Sequence, residues 1–213
     1  MSKTRMFQIS ISPEEISALE LASFPGEIVL IDQEGEELDK AIRYLKRQKV
    51  LGFDTETRPT FTPDQHSSGT ALLQLSGPGK AFLFRLKKIG LPRALSAILA
   101  NPAITKVGAA TRDDIIGLQK ISRFSPKHFI DLQSIVADYG IRDKSVKKMT
   151  AIILGIKISK AQQLSNWEAE RLSDSQQRYA ATDAWVCREM YLRLMASEKN
   201  PLTPEQLNPE QHG

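Results

Sequence analysis

The segment Leu51-Gly52-Phe53-Asp54-Thr55-Glu56-Thr57 ends an apolar run with two carboxylates one residue apart. Val50 to Phe53 reads as a buried strand. Strands alternate faces, so Asp54 and Glu56 share one side while Phe53 and Thr55 share the other. Two like charges held that close raise a pKa or recruit a cation, and a divalent ion with oxygen ligands is the usual resolution. The plainer alternative is that Asp54 ends the strand and Glu56 opens a polar loop toward Pro59.

Upstream of this stretch, Ser12-Pro13-Glu14-Glu15 starts a short helix, with Ser12 as cap, Pro13 at the first position and Glu15 completing a capping box. A short apolar strand at Glu27 to Ile31 follows, then a helix over Glu36 to Arg47 with Leu38, Ile42 and Leu45 on one stripe. Downstream, Ala71 to Leu75 and Ala81 to Leu86 flank Ser76-Gly77-Pro78-Gly79, the punctuation of a hairpin. From Pro92 the pattern becomes helix (Arg93 to Leu99), strand (Ile104 to Gly108), helix (Thr111 to Ile121), strand (Phe129 to Asp131), then helices to about Ser197. Such alternation predicts an α/β protein with a mixed sheet covered on both faces. Residues 1–26 are expected to form an N-terminal extension with a short helix, 27–197 the main domain, and 198–213, with Pro201, Pro204 and Pro209, a disordered tail.

Composition narrows the classes. A chain of 213 residues, 41% hydrophobic and 25% charged, can bury one sizeable core. Lysine and arginine exceed the acids 29 to 25, a net +4 that permits a polyanionic partner without demanding one. The single Cys187 excludes an internal disulfide, and one Cys with three His offers no zinc-type spacing. The start, MSKTRMFQIS, has no apolar signal core, and no apolar run approaches the roughly 20 residues of a membrane helix. A soluble intracellular, cytoplasmic protein without a membrane partner is expected.

Two further segments add carboxylates to the first pair. In the long helix after Leu172, Tyr179, Asp183, Val186, Met190 and Leu194 fall on one stripe, so an aspartate stands where a hydrophobe is expected. A buried carboxylate is costly unless paired or metal-bound, and a satisfied salt bridge or loop cap is the structural alternative. In Val107 to Leu118, periodicity separates two neighbours: Asp114 shares a face with Leu118 and Ile121, whereas Asp113 lines up with Gly117 and Lys120. A Thr111–Asp114 capping box would also explain Asp114.

Clustered, Asp54, Glu56, Asp114 and Asp183 would make an oxygen-only site suited to Mg²⁺ or Mn²⁺ rather than zinc. Two such ions, about 3.5 to 4 Å apart, stabilise the attacking and leaving oxygens of an in-line displacement at phosphorus. A phosphodiester is the expected substrate.

Phe53-Asp54-Thr55-Glu56-Thr57, the segment VGAATRDDIIGL (107–118) and Tyr179-Ala180-Ala181-Thr182-Asp183-Ala184 are similar, in order, to the three exonuclease motifs of the DEDD 3′–5′ exonuclease superfamily. Ala71 to Ser76 and Ser165-Asn166-Trp167 resemble accompanying segments of the branch containing RNase D and the Werner syndrome exonuclease domain. The resemblance covers about Glu27 to Met195 and implies an RNase H-like fold, a five-stranded mixed sheet flanked by helices. It also implies that Asp54, Glu56 and Asp183 bind a first metal, that Asp54 bridges to a second, and that Asp114 holds the second through water. Tyr179, in Tyr-x-x-x-Asp, resembles the DEDDy type, in which the phenol orients the attacking water. The implied activity is release of nucleoside 5′-monophosphates from single-stranded or recessed 3′ ends of DNA or RNA.

Arg58, Arg112, Lys160 and Arg178 adjoin the motifs and are candidate phosphate contacts; Leu73, Gln74 and Leu75 are read as sheet packing. Trp167 is read as a core aromatic, and His66 lies in a loop, Thr60 to Thr70, that could border the entrance for a single strand. Two other functions fit the same fold: a noncatalytic nucleic-acid-binding module and an RNase H-like endonuclease.

Overall fold

The computed structural model describes residues 7–59 and 69–207. His66 and its loop lie outside them. In chain order the elements are α1 (Pro13–Ala18), β1 (Glu20–Leu21), β2 (Glu27–Ile31), α2 (Glu36–Lys46), β3 (Val50–Thr57), β4 (Thr70–Ser76), β5 (Lys80–Arg85), α3 (Leu86–Ile89), α4 (Arg93–Leu99), β6 (Thr105–Gly108), α5 (Thr111–Ile121), β7 (Phe129–Asp131), α6 (Leu132–Ile135), a 3₁₀ turn (Val136–Tyr139), α7 (Val146–Leu154), β8 (Ile156–Lys157), α8 (Asp174–Met195) and α9 (Pro204–Leu207). One mixed sheet runs β2-β5-β4-β3-β6-β7, and β1 pairs with β8 in a separate two-stranded parallel patch. Among the described residues, the pairs β3–β4 and β4–β5 are antiparallel and the other pairs parallel.

The sheet has six strands where the family resemblance implies five. The sixth is β2, whose apolar Ile28 to Ile31 adds in parallel to the edge of β5 and buries Ile31. All six coincide with segments that the residues themselves mark as strands.

Period-two alternation decides what each face of the sheet carries. Leu51 and Phe53 of β3 join Leu73, Leu75, Phe82 and Phe84 in a core covered by Leu38, Ile42 and Leu45 of α2 and by Leu95, Ile98 and Leu99 of α4. The opposite face carries Leu72 and Leu83, which pack under Tyr179, Ala180 and Ala181 of α8. Further along α8, Val186, Met190 and Leu194 meet Met149 and Ile153 of α7. Gly52, Asp54 and Glu56 alternate onto this α8 face. A methyl group on Gly52 would stand 1.8 Å from the carbonyl oxygen of Ala184, so helix and strand approach closely because that strand position has no side chain.

The ends of the chain are tied in. Ser12 caps α1 with both halves of its capping box formed. Residues read as the start of a disordered tail instead dock. Asn200 N donates to Asp138 O (2.9 Å), Leu202 N donates to Ala137 O (3.1 Å), and Leu202 is buried. The buried Leu202, these two backbone hydrogen bonds and an ion pair from Lys199 to Asp138 at 2.8 Å hold this proline-containing strip, a pattern composition does not report. Residues 208–213 lie outside the described part.

Candidate active site

Phe53 is fully buried and anchors β3 in the core, which holds Asp54 and Glu56 at the strand's C-terminal end, half-buried and facing α8. The close contact at Gly52 and Ala184 brings the neighbouring Asp183 beside them. Ligand atoms of Asp54, Glu56 and Asp183 all lie within 4.8 Å of one another, although the third carboxylate is separated from the pair by some 130 positions of chain. The stripe expected on α8 is seen, with Tyr179, Asp183, Val186, Met190 and Leu194 all buried.

Asp114 stands outside this trio. Its helix, α5, packs on the other face of the sheet, where Leu118 joins Phe53 and Leu73, and its Oδ1 accepts a hydrogen bond from Thr55 Oγ1 at 2.5 Å. Ile121, expected to share its buried face, is 38% exposed. The Thr111–Asp114 capping box does not form: Thr111 is already the first helical residue, and Ala110 precedes it in the left-handed region (φ 57°). Asp131 satisfies that helix end, accepting from Ala110 N at 3.0 Å and Thr111 N at 3.2 Å, and it caps α6 through Gln133 N at 2.9 Å. Asp114 is thereby free to face Thr55. Asp131, which periodicity marks only as the end of a strand, is a positioning carboxylate.

Burial, then the charges of Asp183 and Asp114, push the Asp54 carboxyl well above its usual range. Glu56 is pushed up to about 10 by burial and then by Asp54 and Asp183. Burial lifts Asp114 to about 6 against the opposing hydrogen bond from Thr55. Asp183 is raised by burial, with Lys160 and Tyr179 opposing. Lys160 Nζ lies 3.4 Å from Asp183 Oδ2 and 5.6 Å from the centre of the Tyr179 ring, placing one cation against three carboxylates. Such an excess of acid in a half-buried cluster calls for more positive charge than Lys160 alone supplies among the described residues. Asp183 Oδ1 is buried and has no hydrogen-bond partner among the described residues, so a coordinating position is free. Hard, oxygen-only ligands with a free buried oxygen fit Mg²⁺ or Mn²⁺.

This charge balance carries a pH prediction for the metal-free protein. Carboxyls whose folded pKa lies above the unfolded value stabilise the fold fully below the unfolded pKa and lose that contribution as pH rises through the folded one. For Glu56 the window runs from 4.5 to about 10. The melting temperature in EDTA is therefore expected to fall as pH rises through this range, and excess MnCl₂ to remove most of the fall, read by scanning calorimetry. A flat profile in EDTA contradicts the cluster's electrostatics.

Tyr179 is buried, and burial followed by the Asp183 and Glu56 charges raises its pKa, so the phenol keeps its proton at neutral pH. Its ring packs 5.9 Å from that of Trp167, which is fully buried, as read from the sequence. The Trp167 segment is itself held from two sides. The guanidinium of the buried Arg85 donates to Ala169 O and Glu170 O, and Gln176 Nε2 donates to Asn166 O at 3.3 Å. An open cleft of about 410 Å³ borders the site at Tyr179, with Arg178, Ser159 and Gln162 on its wall. Of the other candidate phosphate contacts, Arg112 is exposed and Arg58 lies 3.7 Å from Glu168. Gln74 is buried as expected, but its side-chain amide makes no hydrogen bond among the described residues.

A family model described as 3′–5′ exonuclease matches residues 29–197. Exonuclease 3′-5′ domain-containing protein 2 of Mus musculus is 32% identical over 186 residues, covering 80% of this chain and 28% of that protein. Ribonuclease D of Acidiphilium cryptum is 34% identical over 179 residues, 82% of this chain and 44% of that protein. Among solved structures, Escherichia coli RNase D superposes with a TM-score of 0.69 at 25% identity, over 80% of this chain and 44% of that one. The Aedes aegypti Nibbler EXO domain superposes at 0.70 with 24% identity, over 82% and 91%. The chain thus spans less than half the length of the curated relatives it matches.

Proposed function

From the premise that the chain belongs to the 3′–5′ exonuclease family, we propose that it hydrolyses nucleic acid from the 3′ end and releases nucleoside 5′-monophosphates. Single-stranded or recessed ends of DNA or RNA are the proposed substrates. The observation that carries this reading is the meeting of Asp54, Glu56 and Asp183 within 4.8 Å beside the Tyr179 phenol. Asp54, Glu56 and Asp183 would hold one divalent cation, and Asp54 with Asp114 a second. When bound, the pair supplies charge neutralisation at phosphorus and acidifies the attacking water. The protein's own groups do the rest. Asp54 and Glu56 project from a strand anchored by the buried Phe53, which limits how far their oxygens must reorganise during reaction. Tyr179, protonated and braced by Trp167, offers a hydrogen bond that orients the attacking water. Lys160, beside Asp183 and 30% exposed, would supply a positive charge to a strand phosphate at the site. No helix among the described residues is long and apolar enough to cross a membrane.

The test is a 5′-labelled strand, DNA and RNA in parallel, incubated with Mg²⁺ or Mn²⁺. A ladder shortening from the 3′ end is expected and disappears with a blocked 3′ terminus. Internal cuts on the blocked strand, or binding without cleavage, would replace this reading with an endonuclease or a noncatalytic module. Tyr179→Phe keeps the ring against Trp167 and removes one hydrogen bond to a charged or metal-polarised group. We expect kcat to fall about 10- to 100-fold, the equivalent of about 1.5–3 kcal/mol, with KM and melting temperature little changed.

A further inference from the structure

Gln74 is 0% exposed, yet neither Nε2 nor Oε1 of its side chain has a hydrogen-bond partner among the described residues. Leaving a buried amide unpaired is costly, and native proteins rarely do so without a reason. Its neighbours in β4 are leucines, and a leucine at 74 would continue that pattern at no such cost.

Strand register shows what the amide faces. Gln74 pairs directly with Asp54 across the antiparallel β3–β4 ladder. Directly opposed residues project onto the same face with Cβ atoms about 4.5–5.5 Å apart. Leu73 and Leu75 point into the α2–α4 core, so Gln74 points with Asp54 toward α8. On that face Gly52 leaves no side chain before Asp54, and the small residues Ala180, Ala181 and Ala184 of α8 lie above. An amide longer than aspartate by one methylene therefore lies alongside the one carboxylate that the proposed function assigns to both cations. A glutamine amide offers two N–H donors, while an ionised carboxylate accepts at several lone pairs, of which metal ligation uses only some.

We propose that Gln74 is a positioning residue for Asp54: in the cation-loaded protein its side-chain amide donates to the Asp54 carboxylate and fixes the rotamer in which Asp54 bridges. The inference rests on the two-cation reading of the site. Asp54 and Gln74 are directly opposed on one face of the ladder, so the unpartnered amide and the carboxylate can meet by side-chain rotation alone, with no movement of the backbone. Outer partners of this kind govern affinity as well as rate.

Calorimetric titration of MnCl₂ into the full chain, into Gln74→Met and into Gln74→Asn tests it, alongside melting temperature in EDTA and kcat and KM on a labelled strand. Methionine keeps length and volume and removes both polar atoms. We expect Gln74→Met to bind Mn²⁺ about 10- to 100-fold more weakly, with lower kcat, unchanged KM, and a melting temperature in EDTA equal to or above that of the parent. A residue that merely fills the sheet would show the same melting behaviour with unchanged Mn²⁺ affinity, and that result overturns the proposal. If Gln74→Met does not fold, Gln74→Asn decides: it withdraws the amide by one methylene, so Mn²⁺ affinity falls if the proposal holds and stays if it does not. A parent protein that binds Mn²⁺ but degrades no strand sinks the nuclease reading and leaves Gln74 judged by affinity alone. Strand degradation by the parent with full Mn²⁺ affinity in Gln74→Met sinks only this inference, and a parent that binds no Mn²⁺ sinks both.

Discussion

Asp54→Asn is expected to lower nuclease turnover by about 10³-fold or more while raising the melting temperature of the metal-free protein. The first effect follows from role: Asp54 is assigned to both cations, and losing about 4 kcal/mol of charge stabilisation in the transition state is worth three decades of rate. The second follows from environment. Asp54 is held against Asp183 and within the field of Asp114, and burial opposes its charge. A neutral amide of the same shape removes that repulsion, and relieving strained active-site electrostatics commonly returns about 0.5–2 kcal/mol of stability. Activity and stability must therefore move in opposite directions, which gel assay and scanning calorimetry on one preparation will read. Retention of activity within about tenfold, too little for a bridging ligand, removes Asp54 from the centre of the mechanism. A lower melting temperature would mean that the carboxylate is a structural partner instead.

Gly52→Val should cost at least about 3 kcal/mol, the upper end for overpacking a core. In a domain of this size that lowers the melting temperature by roughly 6–12 °C. The reason is geometric. The first added carbon would lie 1.8 Å from Ala184 O and 3.3 Å from Arg188 Cβ, and the nearer atom is helix backbone, which cannot rotate away. Helix α8 must lift, taking Asp183 from Asp54 and Glu56, and a displacement near 1 Å at a reacting centre costs about 10²-fold in rate. Gly79→Ala, at a glycine with open space around it, serves as the control and should be close to neutral. Equal stability of the two variants would show that the strand–helix approach does not depend on Gly52.

Much of this site was legible in the chain because period two and period 3.6 are strong constraints. Alternation in Leu51 to Thr57 placed Asp54 and Glu56 together, and the stripe through Tyr179 and Asp183 turned both inward, as the structure has them. The same reasoning places all six strands of the main sheet and misses the two-residue strands β1 and β8, which are too short to show a period. Periodicity fails where a residue's partner lies far along the chain. Nothing local to Thr111 reveals that Asp131 will cap α5, or that Thr55 will engage Asp114. Gln74 was read as packing because a glutamine among leucines has no signal of its own, and its meaning emerges only from register with Asp54. Composition predicts disorder over 198–213, yet Asn200 and Leu202 hydrogen-bond to Asp138 and Ala137, because proline content speaks against regular structure but not against docking.

The pairing of β1 with β8 sets the extent of the working unit. Leu21 pairs with Lys157, Ala22 N donates to Lys157 O at 2.9 Å, and Phe24 N donates to Thr182 Oγ1 at 3.0 Å, one residue before Asp183. Residues 20–24 thus clasp both the ribbon that presents Lys160 and the helix that presents Asp183, although the family match begins only at residue 29. An excision at residue 29 would cut away this brace of the acidic cluster, so the unit that holds Asp183 in place begins ahead of the segment that the family model matches.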